Sequence, residues 1–270
     1  MRKVQVGDGA ELHVQDLGSG PPVVLVSGFG LDQSLWDRQV ALLADRHRTL
    51  CVVQRGHGGS DGPLGGYELD GLAGDLADVL DALEVTGATV VGHSLGGLVA
   101  FRLAVRRPDL VTSLVLVSSN GVRSSRSEEF PFGRPPEATL EAVVADERSD
   151  RPGARRRGLC CFADGEPPAA TLDWLFAVSM RMPSWAAQAC YRTLLTSDQV
   201  ADLAAVRQPV LQIAGTADPV MSLRGARWLA ERLGDTRLVE IDGCGHFPRL
   251  EKPDELDAAL VGFLDAPVRA

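Results

Sequence analysis

The chemistry in this sequence centres on Gly92-His93-Ser94-Leu95-Gly96, which follows the apolar run Ala88-Thr89-Val90-Val91 and opens a helical stretch from Leu98 to Arg107. Glycines two positions either side of a serine let a strand and a helix approach closely and hold the serine strained and exposed at the turn. The start of the following helix favours negative charge developing beside Ser94. A glycine-rich turn with an incidental serine is the bland alternative, and the strand before and helix after weigh against it. Ser94 is the candidate nucleophile.

A serine hydroxyl needs a base to take its proton and an acid to orient that base. Five histidines are available: His13, His47, His57, His93 and His246. His13 and His47 fall in an edge strand and a polar loop, and His57 in a glycine-rich turn. His93 adjoins the serine but points elsewhere, as a packing residue. His246 lies in Asp242-Gly243-Cys244-Gly245-His246-Phe247-Pro248, a loop after the last strand, where the chain order Ser, Asp, His places the base. Asp218 precedes it by 28 positions, room for one helix and one strand, and is the expected acid. Its rival Asp242 reads as a turn residue, and Ser118-Ser119-Asn120 after the preceding strand has no carboxylate.

An oxyanion forming at Ser94 requires two backbone donors. The expected pair is the N–H of Leu95 and that of Phe29, in the loop Ser27-Gly28-Phe29-Gly30 after the apolar run Val23–Val26. Gly28, His93, Trp36, Trp174 and Phe247 are the expected substrate contacts. Arg151, Arg155, Arg156 and Arg157 read as a solvated helix face. No metal or cofactor is expected.

These residues require an α/β framework. Short apolar runs at Val23–Val26, Thr49–Val53, Ala88–Val91, Leu114–Val117 and Pro209–Ala214 alternate with amphipathic helices, the pattern of a mostly parallel sheet covered on both faces. Leu12–Leu17 and Arg237–Ile241 add further strands, and a last helix runs from near Pro253 through Leu264. From 121 to 206 the strand signal disappears, and four short helices are expected at Glu137–Arg148, Pro152–Phe162, Pro168–Met180 and Ser184–Leu195. The organisation is a core of 1–120 and 207–270 with a helical cap at 121–206.

Composition narrows the partners. The 270 residues carry 27 basic and 36 acidic side chains, a formal charge of −9, which argues against nucleic acid or an anionic membrane as the main partner. Only Lys3 and Lys252 are lysines, so lysine-based mechanisms have almost no candidates. Five cysteines without CxxC spacing suit reduced thiols, and no apolar run is long enough to span a membrane. A cytoplasmic protein is expected, as a monomer or weak homodimer acting on a small molecule.

With these motifs in place, the chain resembles α/β-hydrolase fold enzymes over nearly its whole length. The matching residues are the Gly92–Gly96 turn, Arg55-Gly56-His57-Gly58-Gly59-Ser60, Ala214-Gly215-Thr216-Ala217-Asp218-Pro219 and Gly245-His246-Phe247-Pro248. Gly28–Trp36 is similar to a stretch in karrikin and strigolactone receptors and related bacterial hydrolases, and Glu251–Leu256 to small esterases and enol-lactonases. Ser27 and Gln54 depart from the histidine and aspartate usual at these places. The resemblance implies a serine hydrolase of a small, largely apolar ester or lactone. Alternatives are a slow-turnover ligand receptor, a cofactor-free haloperoxidase or perhydrolase, and a carbon–carbon bond hydrolase.

Overall fold

A computed structural model describes residues 1–266. The strands are β1 (Arg2–Gln5), β2 (Glu11–Leu17), β3 (Pro22–Val26), β4 (Arg48–Val52), β5 (Ala88–His93), β6 (Val111–Val117), β7 (Val210–Gly215) and β8 (Thr236–Ile241). They form one sheet in the order β1-β2-β4-β3-β5-β6-β7-β8. The β1–β2 and β2–β4 pairs are antiparallel and the remainder parallel.

Successive side chains of the central strands go to opposite faces. Val24, Val26, Val90, Leu114, Leu116 and Val210 belong to one apolar cluster, while Val23, Leu25, Val91, Val115, Leu211 and Ile213 belong to another. Burial on both faces is why these strands read as unbroken apolar runs. β1 escaped that reading because it buries only Val4 of its four residues.

The helices follow in chain order. α1 (Asp37–Leu43), α2 (Leu69–Ala82) and α3 (Leu95–Arg106) precede β6; α4 (Pro136–Ser149), α5 (Arg151–Leu159), α6 (Ala169–Ser179) and α7 (Ser184–Thr196) fill the stretch between β6 and β7. α8 (Leu223–Ala230), α9 (Pro248–Glu251) and α10 (Pro253–Leu264) come after β7. The first cluster takes the apolar sides of α2 and α3, and the second those of α1 and α10. In α2, Leu72, Ala73, Leu76, Val79 and Leu80 recur at helical spacing and are all buried.

Residues between β6 and β7 pack onto the loops at the carboxyl ends of the strands. Leu159, Phe162, Leu172 and Leu175 of this segment share a third cluster with Leu31, Leu35 and Phe247. The arginines from 151 to 157 do not form the expected solvated face. Arg155 is buried, with Nε and Nη2 donating to both oxygens of buried Glu147 (2.8 and 2.9 Å) and Nη1 to the Ser179 carbonyl (2.6 Å). The corner between α4 and α5 turns Arg155 inward; Arg151 is half-buried, with Nη2 donating to the Met180 and Met182 carbonyls (both 2.8 Å), while Arg156 and Arg157 are exposed.

Among the described residues no helix is long and apolar enough to cross a membrane.

Candidate active site

Ser94 occupies the junction of β5 and α3 at φ 53° and ψ −118°, a backbone region that costs a non-glycine residue about 1–3 kcal/mol. Its surroundings enforce the conformation. A Cβ on Gly96 would come within 2.5 Å of the Val26 carbonyl oxygen, and one on Gly28 within 3.0 Å of the Ser94 Cβ. The Ser94 N–H is anchored on the Val117 carbonyl (3.0 Å) and its carbonyl receives the Gly97 N–H (2.9 Å). The hydroxyl-bearing side chain lines a cavity of about 340 Å³ shared with His246, Phe29, His93 and Phe247.

His246 and Asp218 come together from loops after β8 and β7, with His246 Nδ1 and Asp218 Oδ2 2.8 Å apart. The other carboxylate oxygen, Oδ1, accepts the N–H groups of Val220 (2.7 Å) and Met221 (3.0 Å), so the acid is held from both sides. Nδ1 carries the proton in that bond, which leaves Nε2 as the basic nitrogen of the ring. Both side chains are almost wholly withdrawn from solvent.

The loop bearing His246 is fastened by several contacts. Its own N–H donates to the Cys161 carbonyl (2.8 Å), and its carbonyl accepts from His93 Nε2 (2.9 Å). Burial holds His93 well below the usual histidine pKa, helped by the nearby charge of Arg249, so it stays a neutral donor to that carbonyl. Glu251 completes the frame: Oε2 accepts from Gly245 (2.9 Å) and Ala163 (2.8 Å), and Oε1 from Phe247 (3.0 Å). Those backbone donors lie on either side of His246 and in the α5–α6 connection.

The Phe29 and Leu95 N–H groups donate to no acceptor among the described residues. As the first residue of α3, Leu95 has no partner within its own helix. The Phe29 ring is stacked on Tyr191 of α7 with centroids 4.1 Å apart, and the Arg155 guanidinium carbon lies 5.4 Å from the centre of that ring. Two unusual residues of the sequence turn out to be partners, since Gln54 Nε2 donates to the Ser27 carbonyl (2.9 Å).

The expected substrate contacts separate into two groups. His93 and Phe247 line the cavity, and Gly28 packs against its floor at His93 and Ser94. Trp36 does not line it: fully buried in the second cluster, it lies under the Arg249 guanidinium, 4.1 Å from the ring centre. Trp174 is also absent from the lining and is about one-third exposed on α6. Aromatic character alone says nothing about which side of an element a ring occupies. Sequence reasoning missed Glu251 and Tyr191. Of these only Glu251 had a local signal, its place one helical turn beyond Phe247.

A family model described as the alpha/beta hydrolase family matches residues 23–259. The chain is 35% identical over 251 residues to a pimeloyl-[acyl-carrier protein] methyl ester esterase of Nitrosomonas europaea, covering 91% of this chain and 96% of that one. Among solved structures it is similar to an esterase from Exiguobacterium antarcticum (TM-score 0.93, 26% identity, 98% of this chain and 99% of that one). It is also similar to an enol-lactonase from Burkholderia xenovorans (TM-score 0.86, 26% identity, 98% and 100%).

Proposed function

The chain belongs to the alpha/beta hydrolase family, and on that premise we propose that it is a serine hydrolase of a small, largely apolar carboxylic ester or lactone. Ser94 is the nucleophile, His246 the base and Asp218 the acid that orients it. His246 Nε2 removes the hydroxyl proton as Ser94 Oγ attacks the carbonyl carbon. The Phe29 and Leu95 N–H groups receive the oxyanion. Collapse of the tetrahedral intermediate breaks the ester bond, and the proton on Nε2 passes to the leaving alcohol. Water, deprotonated by the same nitrogen, then releases the acid from Ser94. Asp218 stays ionised throughout and stabilises the imidazolium.

In this reading residues 121–206 form a cap over a core of 1–120 and 207–270, and the cap selects what reaches Ser94. The observation that carries the proposal is the convergence of a strained Ser94 and the His246–Asp218 pair on one cavity. Hydrolysis of short p-nitrophenyl esters and simple lactones tests it. Ser94→Ala is expected to lower turnover by at least about 10⁴-fold, with labelling by a fluorophosphonate abolished. Unchanged turnover in a folded Ser94→Ala protein refutes the assignment.

A further inference from the structure

The cavity has a charge pattern opposite to that of the molecule. The chain carries a net −9, yet among the described residues the charged side chains lining the cavity are Arg134, Arg155 and Arg157, with no aspartate or glutamate. The three arginines differ in what already engages them. Arg155 is engaged by Glu147 and by the Ser179 and Met182 carbonyls. Arg157 faces Asp146 at 3.2 Å and Asp150 at 3.3 Å. The Arg134 guanidinium makes no salt bridge and no hydrogen bond among the described residues, and it lies close enough to the Cys161 thiol for its charge to oppose the rise that burial imposes there.

The backbone at Arg134 is held in place. Its carbonyl accepts the Arg126 N–H (3.0 Å), closing a loop in which the Ser127 N–H meets the Phe130 carbonyl (2.8 Å). Phe130 is fully buried and packs edge-on against Trp228 with centroids 5.3 Å apart. Pro135 and Pro136 follow immediately and stiffen the lead into α4. Arg134 is exposed while lining the cavity, which places it on the solvent side, and apolar Val143, Leu194 and Val220 line the same cavity.

We propose that Arg134 anchors a carboxylate carried by the substrate at the end remote from the scissile bond, so that the preferred substrates are half-esters or carboxylate-bearing lactones rather than neutral esters. This rests on the esterase reading of Ser94. One uncommitted guanidinium presents one planar fork, which matches a single carboxylate.

The test compares kcat/KM for monomethyl adipate and methyl hexanoate, an acid–neutral pair of similar length. The wild-type protein is expected to favour the half-ester. Arg134→Ala is expected to shrink that preference about 10- to 100-fold, the worth of one charge-assisted hydrogen bond or pair, and Arg134→Lys is expected to fall between. No preference, or a preference that survives Arg134→Ala, overturns the proposal and leaves the esterase reading standing. If neither ester turns over, calorimetric titration of the Ser94→Ala protein with monomethyl adipate separates the two ideas. Binding that is lost in Ser94→Ala/Arg134→Ala keeps the anion site while the esterase reading fails. Absent or Arg134-independent binding overturns the anion site as well.

Discussion

Glu251 offers the sharpest quantitative prediction, because one carboxylate accepts three backbone N–H groups, at Ala163, Gly245 and Phe247. A hydrogen bond to a charged group contributes about 1.5–3 kcal/mol. Glu251→Gln keeps one acceptor oxygen, so either the Phe247 donor or the Gly245 and Ala163 donors must face an amide NH₂. Glu251→Ala strands all three, and water recovers part of the loss at half-buried Ala163 but little at buried Gly245 and Phe247. The loop then relaxes around His246, whose Nε2 must meet Ser94 Oγ. A misplacement of about 1 Å costs on the order of 10²-fold in rate. Glu251→Gln is therefore expected to lower kcat about 10-fold and Glu251→Ala about 100-fold, with KM changed less than about twofold, since Glu251 does not line the cavity. Steady-state kinetics on a p-nitrophenyl ester measures this. The low-field NMR signal of the proton between His246 Nδ1 and Asp218 is expected to broaden, which a purely structural role would not cause. A folded Glu251→Ala protein with wild-type kcat and an unchanged signal would falsify the reasoning.

Two further outcomes concern stability. Leaving Arg155 charged and unpaired by Glu147→Leu is expected to cost about 3–5 kcal/mol in urea unfolding, while the double change Glu147→Leu/Arg155→Met should recover most of it; additive losses would contradict this. His57 is buried and its pKa is pushed down to about 4 from 6.5, chiefly by desolvation, and His93 is lowered for the same leading reason. The unfolded chain therefore binds protons that the folded one refuses. Stability should fall as pH drops from about 6.5 toward 4, by up to about 1.4 kcal/mol per pH unit for each histidine. The urea midpoint of His57→Gln, followed across that range, should show a shallower decline than the parent protein.

The strands of the sheet interior and the helices between β6 and β7 were legible because burial on two faces, or on one helical stripe, leaves a pattern in residue order. The candidate triad was legible for a different reason: Gly92 and Gly96 record a close backbone approach, and His246 and Asp218 sit at strand ends. What stayed hidden depends on direction and partner. Arg155 is identical in type to Arg156, and only the corner after Glu147 decides that one is buried and the other is not. Trp36 and Trp174 have the composition of a pocket wall but face the core and the solvent, respectively. Arg134 gains its interest from lining the cavity without a salt bridge among the described residues, a property no single stretch of sequence records.

The sheet order has a consequence for how the chain is made. β6 pairs with β5 on one side and waits for β7 on the other, and 92 residues separate Val117 from Val210. At about 5–20 residues per second, synthesis of that stretch takes about 5–20 s. Through this interval the nascent β3-β5-β6 sheet has a bare apolar edge at Leu114–Val117, the kind of template that recruits a neighbouring chain. Soluble yield should therefore respond to changes on that edge, and to pauses in translating the intervening helices, more strongly than the stability of the finished protein does.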